Sequence, residues 1–214
     1  MLFSHLFSFN PFQENTYLLW NDQKLAVIID PGCFDNFEKK ELKEFVESRG
    51  IKPQAIWLTH THIDHILGLE FCLNEWKIPF YMHPLESAGY KSSELYAPGY
   101  GFHGFRLPDS APVFFPDEAR LQLGEEEFEV LFLPGHCMGH VAFYHKASHR
   151  VWSGDVLFRQ SVGRTDLPGG NFDILANSIK SGLYNLPDET IIYPGHGPET
   201  QIGYEKRYNP FVRV

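Results

Sequence analysis

Three histidines and one aspartate stand within six positions, at His60, His62, Asp64 and His65, directly after the apolar residues 55–58 (AIWL). Imidazole and carboxylate groups crowded at the end of a buried segment are costly unless something pairs them. A divalent cation is the partner that suits this donor set: such nitrogen and oxygen ligands fit Zn²⁺, and also Fe or Mn. In an extended chain His60, His62 and Asp64 would share one face and His65 would point away. The four converge only if the stretch is a loop turning into a helix, expected to start near Ile66. Such a loop can supply ligands to two adjacent ions.

The same pattern recurs along the chain. AVII runs into Asp30-Pro31-Gly32, VLFL into Pro134-Gly135-His136, VWSG into Asp155, and TIIYPG into His196. Ligand-binding and catalytic groups in open α/β sheets gather beyond strand ends, on loops that a rigid core positions. Adding His136, Asp155 and His196 to the first four gives seven candidate ligands. Seven exceed one tetrahedral site and fit two that share a carboxylate; Asp155, after a Ser-Gly turn, is the natural bridge. His5, His83, His103, His145 and His149 are read as ordinary surface or core residues. His140 is read as structural, with support of a ligand as its other role. No serine or cysteine stands in an activated arrangement, and nothing marks Cys137, beside His136, as a nucleophile. Metal-activated water is therefore the expected nucleophile.

The elements that must position these residues follow from periodicity. LFSHLFSF, NTYLLW and KLAVIID read as three strands, the last two joined by a turn at Asn21-Asp22. Residues 36–49 read as a helix with the stripe Leu42, Phe45 and Val46, ended by Gly50. QAIWL is a buried strand, residues 66–76 a second amphipathic helix, and IPFYMH a short strand. Residues 92–112, rich in Gly, Pro and Ser, read as a long loop able to cover a site. Two or three strands follow between Ala119 and Leu133, then VAFYH and RVWSG. A last helix is expected over 171–185, with TIIYPG as the final strand. Strands and helices interspersed in both halves indicate one layered α/β domain.

The chain of 214 residues has a net charge of −9, which argues against general binding to nucleic acid or anionic membranes. Three widely spaced cysteines make no disulfide framework and fit a reducing, cytoplasmic setting. The start has neither the basic nor the apolar region of a signal peptide, and no stretch is apolar for long enough to span a bilayer.

The stretch Thr59-His60-Thr61-His62-Ile63-Asp64-His65 resembles the Thr-His-x-His-x-Asp-His signature of the metallo-β-lactamase superfamily. IIDPG, LPGHCMGH, WSGDVLF and IIYPGHGPET follow in that family's order over nearly the whole chain. The resemblance implies an α/β fold, a four-layer αββα sandwich, in a single domain over residues 1–214. It implies two divalent metal ions, zinc in first place with Fe or Mn as alternatives. His60, His62 and His136 would hold the first, Asp64, His65 and His196 the second, and Asp155 would bridge them. SVGRTDLPGGNF and GYEKRYNPF resemble the single-domain glyoxalase II-like hydrolases, which cleave S-lactoylglutathione and related hydroxyacylglutathione thioesters. The further helical segment of the two-domain enzymes, which helps bind glutathione, is expected to be absent. Asp64 and Asp155 would then position metals and hydroxide. Arg164, which pairs with Asp166 beneath the site or faces substrate, and Tyr204, Lys206 and Arg207 are candidate substrate contacts. Two alternatives share the fold: the persulfide dioxygenases, with one iron and a similar GRTD segment, and lactonases or other metallo-hydrolases.

Overall fold

The computed structural model describes residues 1–115 and 119–213, and they form two compact units, one built from 1–115 with 123–126 and the other from the remainder. In the first unit a meander of β1 (Phe3–Phe9), β2 (Glu14–Trp20) and β3 (Leu25–Ile29) leads to α1 (Asn36–Ser48) and β4 (Lys52–Trp57). Next come α2 (Ile63–Ile66), α3 (Leu69–Trp76), β5 (Phe80–Met82), α4 (Ser87–Tyr96) and β6 (Val113–Phe114). The sheet order is β1-β2-β3-β4-β5-β6. Because β3 and β4 pair in parallel, Asp30 and Thr59-His60 emerge at the same edge. β2 is antiparallel to β3, which brings Glu14 and the turn 10–13 to that edge as well.

Local chemistry explains the helices. Asp35 caps α1 by accepting from the N–H groups of Phe37 and Glu38 at 2.8 Å each, and Glu38 answers in a capping box. Leu42 and Val46 are buried in a core with Phe7, Leu18, Ile28, Ile56 and Cys72. Gly50, at φ 61°, takes the left-handed turn that ends the helix.

Three expectations are corrected here. The helix expected over 66–76 is two helices, α2 and α3, separated at Leu67-Gly68. A side chain at Gly68 would sit 2.3 Å from Cys33 Sγ, and its N–H donates to Pro31 O at 2.8 Å, so close packing sets the break. Asp64 and His65 consequently lie in a helical turn, not in the preceding loop. The loop expected over 92–112 begins as helix: α4 runs to Tyr96, and a 3-10 turn covers Ala97–Tyr100. With Ser87, Gly89, Ser92 and Ser93 the helix has poor propensity, and only Tyr90 and Ser93 are buried, so it carried no clear apolar stripe. The helix expected over 171–185 is α5 (Phe172–Ser181), capped by Asn171, followed after Gly182 by a 3-10 turn at Leu183–Asn185.

The second sheet contains β7 (Arg120–Leu123), β8 (Glu126–Phe132), β9 (Val141–His145), β10 (Arg150–Gly154), β13 (Ile191–Pro194) and β14 (Thr200–Gln201), in the order β14-β13-β10-β9-β8-β7. A small hairpin of β11 (Leu157–Phe158) and β12 (Ser161–Val162) follows β10, and α6 (Ile202–Tyr208) follows β14. β10 and β13 are parallel, so Asp155 and His196 leave one edge together. β8 and β10 are both antiparallel to β9, which sends His136 to the same edge. Leu175 and Ile179 of α5 are buried with Val151, Leu183, Ile192 and Ile202. Among the described residues no helix is long and apolar enough to cross a membrane.

Candidate metal centre

At the edge of the first sheet His60 and His65 are fully buried. His60 Nε2 lies 3.1 Å from His62 Nδ1, and His65 Nε2 lies 3.7 Å from Asp64 Oδ2. At the edge of the second sheet His136 Nε2 and His196 Nε2 each stand 3.6 Å from Asp155 Oδ2. Two atoms that share a tetrahedral ion, each bonded to it at about 2.0–2.2 Å, are separated by roughly 3.3–3.6 Å. The donors of the second unit match that spacing and those of the first, at 3.1 and 3.7 Å, lie just to either side of it, so the residues of each unit fit a divalent cation.

A second layer fixes these donors. Asp30 Oδ1 accepts from the N–H of Thr59 at 2.7 Å, and Oδ2 accepts from Thr59 Oγ1 at 2.6 Å and His65 Nδ1 at 3.1 Å. A carboxylate can only accept, so His65 carries its proton on Nδ1 and presents Nε2 towards Asp64 Oδ2. Asp30, His60 and His65 also lie within ligand reach of one another. The three donors already on Asp30 make it a supporting residue. Glu14 is fully buried, with Oε1 3.9 Å from His65 Nδ1, and desolvation pushes its carboxyl well above the usual range. Glu86 Oε2 accepts both the N–H of Thr61, at 3.0 Å, and Thr61 Oγ1, at 2.9 Å, and so holds the peptide between two histidines. Asn10 Nδ2 donates to Gly32 O and Asp64 O, each at 3.0 Å.

In the second unit His136 Nδ1 donates to Arg164 O at 2.8 Å, which again presents Nε2 towards a carboxylate, that of Asp155. His140 Nε2 accepts the N–H of Asp155 at 3.1 Å. His140 therefore braces the bridging candidate, the lesser of its two expected roles. Arg164 forms the expected pair with Asp166, Nε to Oδ1 at 2.7 Å and Nη2 to Oδ2 at 2.8 Å. The pair lies at the surface, its side chains 58% and 68% exposed, not beneath a site. Tyr204 meets Gln160, Lys206 pairs with Asp188 at 2.6 Å, and Arg207 is exposed. His5 stacks on Phe45, His83 accepts from the N–H of Leu85, and His145 is buried against Ser148. Cys33, Cys72 and Cys137 are all buried.

Asp30 was visible in the sequence as one of the strand-end acids, though not as a site residue. Glu14, Glu86 and Asn10 gave no signal, because each acts across 22 to 54 positions or through a strand buried on both faces.

Comparison with known proteins places this geometry in a family. The Metallo-beta-lactamase superfamily model matches residues 9–196. The chain is 38% identical over 203 residues to the Probable metallo-hydrolase YqgX of Bacillus subtilis, covering 94% of this chain and 93% of that protein. It is 36% identical over 216 residues to the Hydroxyacylglutathione hydrolase GloC of Haemophilus influenzae, with the same coverage of 94% and 93%. The crystal structure of TTHA1623 in a di-iron-bound form superposes with a TM-score of 0.87 at 41% identity, over 97% of this chain and 100% of that one. The two mixed sheets with their helices are those of the metallo-β-lactamase fold, and this chain belongs to the metallo-β-lactamase superfamily.

Proposed function

We propose that this metallo-hydrolase cleaves thioesters, with S-lactoylglutathione or a related hydroxyacylglutathione as substrate. The observation that carries the reading is the set of imidazole and carboxylate donors at ligand spacing on both sheet edges. It is supported by the extent of the likeness to a hydroxyacylglutathione hydrolase. In this reading His60, His62 and His136 hold one divalent ion, Asp64, His65 and His196 a second, and Asp155 bridges them, with zinc as the metal. In this reading the seven ligands belong to one domain spanning residues 1–214, which is supported by a family match over 9–196 that runs through both units.

When bound, such ions supply activated water at neutral pH and stabilise a developing oxyanion. The chain's own residues do the rest. Arg164 O and the Asp30 carboxylate hold the Nδ1 protons of His136 and His65, so each ring presents Nε2. His140 fixes the backbone of Asp155, and Glu86 fixes the His60–His62 peptide. Asp64 and Asp155 serve as positioning ligands. Arg164, Tyr204, Lys206 and Arg207 are the residues offered for contact with the glutathione moiety.

The test replaces Asp155 with Ala and measures metal content and S-lactoylglutathione hydrolysis on the same sample. Loss of both is expected; full activity with unchanged metal would overturn the reading. One iron per chain, with oxygen uptake on glutathione persulfide, would move the assignment to a dioxygenase.

A further inference from the structure

The β1–β2 turn and the end of α4 set three aromatic rings in a row beside the histidine motif. Phe12 and Tyr100 meet edge to face with centroids 6.1 Å apart, and Tyr100 meets Tyr96 at 5.9 Å. Phe102, buried beneath them, touches Phe12 at 5.6 Å and Phe34 at 4.9 Å. The row is tied to the metal-binding stretch at three points. Asn10 Oδ1 accepts the N–H of Phe12 at 3.0 Å while its Nδ2 donates to Asp64 O. Glu86, immediately before α4, takes both donors of Thr61. The partly buried Tyr96 phenol lies within electrostatic reach of the Asp64 carboxylate.

Phe12 and Tyr100 nevertheless stay 42% and 48% exposed. Single exposed rings are ordinary, whereas a backed row continuous with ligand residues has the character of a small-molecule wall. The row has ring faces and two phenol hydroxyls but no cation. It therefore suits an apolar group, not the carboxylates of glutathione, and in a glutathione thioester the part that varies and can carry a large apolar substituent is the acyl group. We propose that Phe12, Tyr96 and Tyr100 form an acyl subsite that selects hydroxyacyl thioesters bearing an aromatic substituent over those bearing a methyl group. The proposal rests on the thioesterase reading for its substrate, but its binding surface can be tested separately.

The experiment uses the metal-loaded full chain. Calorimetry compares mandelate with lactate, two hydroxy acids that differ by phenyl for methyl. Steady-state kinetics then compares S-mandeloylglutathione with S-lactoylglutathione. Wild type is expected to bind mandelate about tenfold more tightly. Phe12→Ala and Tyr100→Leu should each cut that preference at least about threefold, and lower the mandeloyl-to-lactoyl ratio of kcat/KM through KM. Tyr100→Leu keeps the test valid if Phe12→Ala, which removes a ring from Phe102, fails to fold. Equal affinities in wild type, or a preference that survives in the folded variants, overturns the subsite. If neither thioester is hydrolysed but the mandelate preference exists and is lost in the variants, the thioesterase reading fails and the apolar subsite stands.

Discussion

Asp30 and His65 are joined through one carboxylate oxygen, which accepts His65 Nδ1 at 3.1 Å and Thr59 Oγ1 at 2.6 Å. Asp30 holds this position with φ at 50°, a left-handed conformation that Asn tolerates as Asp does. Asp30→Asn therefore keeps the backbone and replaces one accepting oxygen with an NH₂ donor. The amide cannot accept from all three donors, and His65 loses its orientation. Metal affinity should fall by about 10- to 100-fold, the usual effect of removing a partner behind a ligand. Competition against a chromogenic chelator measures it. Unchanged affinity would mean that Asp30 does not orient His65.

Glu86 is a prediction of a different kind, because it holds the motif through Thr61, which is not one of the seven candidate ligands. Glu86→Ala leaves a buried N–H and a buried hydroxyl without their acceptor. Metal affinity should again drop by about 10- to 100-fold. Thr61→Val removes only the hydroxyl and should cost less. The double variant should be no worse than Glu86→Ala, since both changes act on one interaction. Additive losses in that cycle would show that Glu86 works elsewhere.

Gly163 packs where no side chain fits. An added Cβ would lie 1.9 Å from Asp155 O and 3.0 Å from His136 Nδ1, touching two proposed ligands at once. Gly163→Ala should destabilise the metal-free protein by about 1–3 kcal/mol through overpacking. At Gly99 an added Cβ meets nothing within 4 Å, so Gly99→Ala is the control and should be close to neutral. Urea unfolding of both variants decides the matter, and equal stabilities would remove the steric argument.

The parts of the fold that the sequence announced are those with a strong local signal. The meander, α1 and the strands ending in Asp30, His60, His136, Asp155 and His196 all stand where periodicity and turn residues put them. The break at Gly68 escaped notice because its cause, Cys33 Sγ, is remote in the chain. Helix α4 escaped because it is held by Tyr90, Ser93 and the Glu86–Thr61 contact, not by an apolar stripe. For the site, the ligand candidates were legible as motif residues. Of their supports only His140 was weighed as one, since Glu14 and Glu86 act through tertiary hydrogen bonds and fields that leave no spacing to read.

Arg164 and Asp166 give the pH-dependent prediction. The two hydrogen bonds from the guanidinium hold the Asp166 carboxyl down, from its ordinary 3.8 to about 2. A depressed carboxylate contributes to stability above its unfolded value, and the contribution disappears as pH falls from 3.8 through about 2. Both side chains are more than half exposed, so salt screens the pair and its effect on folding is small. The carboxyl resonance is the better readout. In wild type Asp166 should titrate near 2, and in Arg164→Ala it should return towards 3.8. A midpoint that stays low in the variant would assign the shift to another cause. The same substitution separates two roles of residue 164. His136 bonds to the backbone oxygen, which an alanine retains, so metal content should be unaffected even though the ion pair is gone. Loss of metal in Arg164→Ala would instead show that the side chain itself sets the position of that carbonyl.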